Sequence, residues 1–217
     1  MTSLSSVLLC RRFLKSPNFD IMSFLLENSI FTTLSEGIIS GAKDFSCGHP
    51  DLDDFFHNDC IAYHKSLFGK SYCFLSKGCS NEIICAFTVS NASIFTNRLP
   101  NARKKKIGKD VPHKKRDLIY PAVLIGRLGT NCKYQHNNVG TELMDFIKAW
   151  FTEPRNKTGC RYLVVDAYNT EIPISYYKKN GFDFMFGSEE QEKEYRYIED
   201  DEPLNTRLMY YDLIRIL

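Results

Sequence analysis

Motifs that pair cysteines at close spacing are missing from this chain. Its 217 residues include eight cysteines, but no two of them have Cys-x-x-Cys spacing. This absence argues against a zinc ribbon and against a dithiol redox motif. We therefore expect reduced thiols, most of them buried, as in a protein from a reducing compartment. The eight positions are Cys10, Cys47, Cys60, Cys73, Cys79, Cys85, Cys132 and Cys160.

A long hydrophobic run is also missing. The short apolar run Ser5–Cys10 has no preceding Lys or Arg, and Arg11 and Arg12 follow it directly. Such a run is too short for the core of a signal peptide or for a membrane span. We therefore predict a cytoplasmic protein without a membrane anchor.

Excess charge is small overall but strongly concentrated. The formal net charge is +2, yet residues 98–116 contain nine Lys or Arg residues and only one acid, Asp110. The remaining chain then has 19 of the 28 basic and 25 of the 26 acidic residues, a net charge of −6. This basic loop, 98–116, could bind phosphates, CoA or RNA, or it could be a solvated surface segment. The acidic stretch Glu189–Glu202 is predicted to be a solvated loop.

The hydrophobic pattern predicts an α+β fold with a central mixed sheet and helices on both faces. Residues 1–29 are predicted to be an N-terminal extension with a helix near Phe24–Leu26, and residues 30–217 to be the main domain. The strands are expected at 30–40, 71–76, 83–90, 121–128, 162–167, 182–186 and 206–213, and the helices at 51–67, 139–151 and 172–180.

The segment Tyr134–Thr141, which we call the cradle, connects a buried strand to an amphipathic helix. It is polar and contains Gly140, which would let a ligand approach the backbone closely. A helix start offers unpaired N–H groups and the positive end of a dipole, so it suits a phosphate without any lysine. The alternative is an ordinary strand–turn–helix connection, because Asn-rich turns are common.

The cradle and two later elements resemble the GNAT superfamily of N-acetyltransferases. Gln135, Asn138 and Gly140 match the motif that follows its central strand, with Asn138 where the family usually has Gly. Asn tolerates left-handed backbone angles better than most residues, so the cradle geometry is retained in this prediction. Asn169 and the segment Tyr176–Phe182 resemble the downstream elements of the same family.

A finer resemblance is to the GNAT branch that includes toxins acetylating the amino group of aminoacyl-tRNA. It rests on the segment Phe45–Gly48, on Leu52, Asp53 and Phe56, on the lysine-rich connection and on the segment Pro121–Leu128.

The resemblance implies acetyl-CoA as cosubstrate and direct attack by a primary amine. It implies that Tyr177 protonates the departing thiolate as general acid. The acceptor could be an aminoacyl-tRNA bound through the basic loop, or a small-molecule or protein amine. A non-catalytic acyl-CoA-binding module is the alternative outside catalysis, and a homodimer is left open. The residues implied to contact the cofactor are Leu128, Gly129, Thr130, Gln135, His136, Asn137, Asn138, Val139, Gly140, Thr141 and Asn169.

No metal site is predicted. His57, Cys60 and His64 share one face of the first long helix, but their spacing matches no usual zinc motif.

Overall fold

The computed structural model describes residues 23–42, 44–79, 81–109, 111, 119–156 and 158–217. Its helices are α1 Phe24–Asn28, α2 Glu36–Gly41, α3 Pro50–Asp54, α4 Cys60–Lys65, α5 Asn101–Ile107, α6 Val139–Thr152, α7 Glu171–Lys179 and α8 Glu189–Arg196. A π-helical turn, Phe55–Asp59, joins α3 to α4, and 3-10 turns occur at Thr96–Arg98, Cys132–Tyr134 and Leu213–Ile216. The strands are β1 Ser29–Thr33, β2 Lys70–Ser76, β3 Ile83–Phe95, β4 Ile119–Thr130, β5 Tyr162–Tyr168, β6 Asp183–Phe184 and β7 Thr206–Asp212.

Hydrogen bonds join the strands into one sheet in the order β1-β2-β3-β4-β5-β7-β6. The β4–β5 pair is parallel, whereas β1–β2, β2–β3, β5–β7 and β6–β7 are antiparallel. Parallel and antiparallel pairs in one sheet make it mixed, so the predicted α+β architecture is confirmed.

The chain divides into two compact units, and the first comprises the described residues of 23–90 and 126–156. Neighbouring residues of a strand point to opposite faces. Cys73 and its partner Ala86 therefore share one face, where they lie in a core cluster with Phe56 of the π-helical turn. On the other face, Phe74 has its ring centroid 4.9 Å from that of Phe146 in α6. The prediction of helices on both faces is thus confirmed within this unit.

The second unit comprises the described residues of 91–125 and 157–217. Its central strand, β5, pairs along Tyr162–Val165 with β4 and along its whole length with β7. Tyr162 is fully buried at the centre of its core cluster, and its hydroxyl donates to the carbonyl of Ile107 at the end of α5 (2.7 Å). That bond fixes the basic helix α5 to the sheet.

Three sequence-based assignments differ from the structure. The strand expected at 30–40 ends at Thr33, and α2 follows it. Leu34, just before the N-cap Ser35, and Ile38 within α2 both pack in the same core cluster, so apolar burial continues from the strand into the helix. The loop expected at Glu189–Glu202 begins with α8, and the connection through 98–116 contains α5. Positions 110 and 112–118 of that connection lie outside the described residues.

Helix α8 is not a solvated segment, because Glu192 is fully buried within it. Its carboxylate accepts hydrogen bonds from Arg207 on β7 (2.9 Å), from Arg196 (2.8 Å) and from the backbone N–H of Leu208 (2.6 Å). A buried carboxylate needs such partners, and those on β7 bind α8 to the sheet.

Helix α1 confirms the expected helix near Phe24–Leu26, and Leu25 and Leu26 are buried. The assignment of residues 1–29 to an extension stays a prediction, and residues 1–22 lie outside the described part of the chain.

Candidate acyl-CoA site

Asn131 lies between the end of strand β4 and the cradle. Asn131 is only 3% exposed, and it donates from its side chain to the carbonyl of Ile83 and from its backbone to that of Ile84, both at 2.9 Å. Its side-chain oxygen accepts from the N–H of Lys133 (3.1 Å), which starts the 3-10 turn. A single buried amide thus determines where the chain leaves the sheet.

Gln135 then holds the loop against its surroundings. Its side-chain amide donates to the carbonyls of Cys47 (2.8 Å) and Thr130 (2.9 Å). The backbone turns sharply after it, because His136 (φ 63°) and Asn138 (φ 61°) are both left-handed. The predicted left-handed conformation of Asn138 is therefore present. Gln135 acts here as a brace of the loop rather than as a free ligand-binding side chain.

Three backbone N–H groups of this loop are available for a ligand. Among the described residues, none accepts a hydrogen bond from the N–H of His136, Asn137 or Asn138. These residues are exposed, and α6 begins directly after them at Val139. Consecutive N–H groups in a left-handed turn at a helix start form an anion-binding concavity. The cradle can therefore bind a phosphate through its backbone.

A second loop, residues 45–48, lies against the cradle and is held by Asp53. The Asp53 carboxylate accepts from the hydroxyl of Ser46 (2.6 Å) and from the N–H of Cys47 (2.7 Å). Ser46 in turn accepts from the N–H of Cys132 (2.8 Å), and the carbonyl of Cys47 accepts from Gln135. Partial burial alone would raise the pKa of Asp53, but the hydrogen bonds from Ser46 and Cys47 hold it below its usual value. The ionised Asp53 thus supports the cradle indirectly, through the 45–48 loop.

Gly129 allows the 45–48 loop to lie this close to β4. A Cβ at Gly129 would be 3.0 Å from the Cβ and 3.1 Å from the Sγ of Cys47, and 3.5 Å from the ring of Phe56. Burial, followed by the hydrogen bond to Asp53, raises the pKa of the Cys47 thiol to about 12. Cys47 therefore packs as a neutral thiol and not as a nucleophile.

Strand β4 continues beyond its pairing with β5. The parallel register joins Ala122–Ile125 to Tyr162–Val165, whereas β4 extends to Thr130. Leu128 and Thr130 are partly exposed, and Gly129 is buried. This end of β4 precedes the cradle by three residues and is the segment for which the sequence resemblance implied contacts to the cofactor.

Tyr177 lies in the second unit, on α7. Its ring packs edge-on against Tyr176 (5.1 Å between centroids) and Phe182 (5.4 Å). The left-handed Gly181 (φ 83°) ends the helix, and the N–H of Phe182 donates to the carbonyl of Tyr177. No described residue forms a hydrogen bond with the Tyr177 hydroxyl. Burial raises the pKa of Tyr177, so the phenol stays protonated and can donate at neutral pH.

Asn169 also lies in the second unit, just after β5. Its side-chain amide donates to the carboxylate of Glu189 (3.1 Å) and to the carbonyl of Leu204 (2.9 Å). Both amide hydrogens therefore point into the protein, and the side-chain oxygen is the atom through which a ligand contact would have to be made. The contact between Asn169 and CoA stays a prediction.

The basic loop is described only in part. Lys106 pairs with Asp183 (2.9 Å), while Lys105 is exposed and Lys104 partly exposed. His113, Lys114, Lys115 and Arg116 lie outside the described residues.

His57 and Cys60, two of the side chains considered as metal ligands, form hydrogen bonds to backbone carbonyls. The ring of His57 contacts the carbonyl of Phe45 (2.7 Å), and the buried thiol of Cys60 donates to the carbonyl of Phe56 (3.2 Å). Across the described ranges, no three His, Cys, Asp or Glu side chains are grouped as metal ligands. Nor does any helix in this part of the chain have the length and apolar character needed to cross a membrane.

Several solved structures have a similar backbone. A tyrosine-to-phenylalanine mutant of KacT matches with a TM-score of 0.60 and 16% identity, over 88% of this chain and 98% of that one. AtaT complexed with acetyl-methionyl-tRNAfMet matches with a TM-score of 0.60 and 17% identity, over 87% and 97%. AtaTR bound with acetyl-CoA matches with a TM-score of 0.57 and 15% identity, over 88% of this chain and 96% of that one. The chain has the GNAT fold.

At these identities the likeness extends to the fold alone, and no protein-family model matches the sequence. The fold expected from the sequence resemblance is thereby confirmed. The roles of the individual site residues stay predictions.

Two supports of the cradle were not recognised as such in the sequence. Asp53 belongs to the matched segment around Leu52, but a sequence match does not show which residues are in contact. Its partners are the hydroxyl of Ser46 and the backbone N–H of Cys47, both in a loop. Asn131 belongs to no recognised motif, and its role becomes visible only in the structure, where it is buried and donates to the carbonyls of Ile83 and Ile84.

Proposed function

We propose that this chain is an acetyl-CoA-dependent N-acetyltransferase whose cradle binds the diphosphate of the cofactor. The observation that carries the proposal is the row of exposed N–H groups at His136, Asn137 and Asn138, at the positive end of the 14-residue helix α6. The fold supports it, because AtaTR shares the fold and has been solved with acetyl-CoA. Acetyl-CoA is thus the proposed cosubstrate.

The proposed reaction is direct transfer between an amine and a thioester. The amine nitrogen forms a bond to the acetyl carbon, and the carbon–sulfur bond then breaks to release CoA thiolate. Tyr177 donates its hydroxyl proton to that thiolate, and the proton lost by the amine balances the step through solvent. An ordinary phenol titrates near ~10 and a free thiol near ~8.5, so the phenol is protonated and able to donate at pH 7, and the phenolate that results regains a proton from solvent.

An aminoacyl-tRNA is the acceptor that we favour. The basic residues of α5, among them Lys104 and Lys105, suit a polyanion, and AtaT has been solved with acetyl-methionyl-tRNAfMet. An aminoacyl α-amine titrates near ~7.7, so much of it is neutral at pH 7 and able to attack. A small-molecule or protein amine is the alternative acceptor, and a non-catalytic acyl-CoA-binding module is the alternative function.

The cofactor proposal is tested by two substitutions at one position. Asn138→Gly keeps the left-handed turn without strain, so acetyl-CoA affinity should be unchanged or slightly better. Asn138→Val puts a β-branched residue at φ 61°, which costs about 1–3 kcal/mol, and the dissociation constant should rise roughly 5- to 100-fold. Calorimetric titration with acetyl-CoA measures both, and no binding by the unmodified protein would refute the proposal.

The acceptor proposal is tested by the salt dependence of tRNA binding. Lys104→Ala/Lys105→Ala should reduce the slope of log K against log salt by about one to two, because each lost phosphate contact lowers it by nearly one. Lys65→Ala/Lys70→Ala removes the same charge from the first unit and should leave the slope unchanged. Equal effects of the two pairs would count against an interface on α5. Thiol release with charged tRNA, but not with simple amines, would separate the two kinds of acceptor.

A further inference from the structure

Helix α1 is attached to the cradle helix through a carboxylate. One oxygen of Glu142 accepts hydrogen bonds from the hydroxyl of Ser23 (2.9 Å) and from the backbone N–H of Leu25 (2.8 Å). Glu142 is the fourth residue of α6, so it lies in the helical turn that opens at the cradle. Leu25 is only 1% exposed, which shows that α1 is packed firmly at this contact.

The other end of the cradle also touches α1. The ring of Phe24 lies 5.9 Å from that of Tyr134, the first cradle residue, and the Tyr134 hydroxyl donates to Glu82 (2.7 Å). Helix α1 therefore contacts the residues that flank the exposed N–H groups on both sides, Tyr134 before them and Glu142 after them.

The position of Glu142 has an electrostatic consequence. A carboxylate in the first turn of a helix competes with an anionic ligand for the same positive field. Here two hydrogen bonds to α1 fix that carboxylate. The negative charge is thus turned toward α1.

We infer that α1 is a positioning element of the acyl-CoA site, which keeps the Glu142 carboxylate away from the bound diphosphate and fixes Tyr134 at the entrance of the cradle. The inference rests on the proposed function and assigns a role to the residues that precede β1. Loss of the contacts to α1 would free the Glu142 side chain to approach the cradle, where its charge would repel the diphosphate. The affected step is cofactor binding rather than transfer.

The test combines Ser23→Ala with Glu142→Gln. Ser23→Ala should raise the dissociation constant for acetyl-CoA about two- to fivefold, the range of a partly screened charge interaction. It should leave kcat unchanged, and it should not alter the KM for S-acetylpantetheine, which has no diphosphate. In a Glu142→Gln background the same substitution should have no further effect, because the repelling charge is gone.

Each result decides between explanations. Equal loss with acetyl-CoA and S-acetylpantetheine, or loss that persists in the Glu142→Gln background, would overturn the inference in favour of general loosening of the site. Ser40→Ala, at an exposed serine of α2, is the matched control and should change neither ligand. If the unmodified protein binds no acetyl-CoA, the proposed function fails; if it binds and Ser23→Ala binds equally well, the inference alone fails.

Discussion

Replacing Asp53 by Asn removes the charge that holds the 45–48 loop beneath the cradle. The Asp53 carboxylate accepts from Ser46 and Cys47, and the carbonyls of these two residues accept hydrogen bonds from Cys132 and from Gln135 of the cradle. An Asn side chain has one acceptor oxygen, and its NH₂ group would face a donor. We therefore expect one of the two hydrogen bonds to be lost.

The size of the effect follows from the number of bonds and their exposure. A hydrogen bond to a charged group contributes about 1.5–3 kcal/mol, and partial exposure of Asp53 places the loss near the lower end, about 1–2 kcal/mol. The pKa of Asp53 is lowered in the folded state, below the value of about 3.9 expected for an unfolded chain. Its contribution is therefore present above pH 4 and disappears as pH falls through the folded pKa.

Urea unfolding of both proteins at pH 7 and at pH 3 checks this reasoning. The difference in free energy of unfolding should be about 1–2 kcal/mol at pH 7 and should shrink at pH 3, because pH 3 lies below the pKa of about 3.9 of the unfolded chain, whose carboxyl then binds protons. Asp54→Asn makes the same change one residue later, where the carboxylate accepts a solvent-exposed hydrogen bond from Asn58. That control should change stability by less than about 0.5 kcal/mol. Equal losses for Asp53 and Asp54, or a difference independent of pH, would refute the support role.

Two further predictions concern Tyr177 and Gly129. Tyr177→Phe should lower kcat about 10²- to 10⁴-fold, as expected for loss of a general acid, and should leave acetyl-CoA affinity unchanged. Steady-state kinetics measures the turnover and calorimetry the affinity. Unchanged turnover would rule out the role of Tyr177 as general acid. Because the pKa of Tyr177 is raised, its ionisation should not reduce activity below pH 10. Gly129→Ala should cost about 1–3 kcal/mol by crowding Cys47, whereas Gly126→Ala, with no described atom within 4 Å, should be nearly neutral in thermal unfolding.

The elements with clear periodicity could be predicted from the sequence. The continuous apolar run at 121–128 is part of β4, and the amphipathic pattern at 139–151 is α6. The failures occurred where long-range contacts decide the structure. Helix α8 is rich in acid, so composition indicated a loop, but Glu192 is stabilised by Arg207, fifteen residues away. No local pattern shows that pair.

The position of the cradle in the chain could be predicted from the sequence, but the contacts that hold it in place could not. A strand end, a polar turn and a helix start are visible in the sequence, and the left-handed Asn138 agrees with the tolerance of Asn for that conformation. The brace from Gln135 to Cys47 spans 88 residues, and the contact of Ser23 with Glu142 spans 119. Such contacts depend on the packed fold, and spacing along the chain does not indicate them.

Because the donors at the cradle are main-chain N–H groups, the proposed contact to a diphosphate is nearly independent of which side chains the cradle carries. Any residues that accept the left-handed turns at 136 and 138 can supply the same donors. Most side chains of the loop can therefore be substituted without loss of these donors. Substitution of Asn131 or Asp53, in contrast, removes hydrogen bonds that hold the loop in its conformation. A search for further proteins of this kind would do better to look for the side chains that hold the loop, Asn131 and Asp53, than for glycines in the loop.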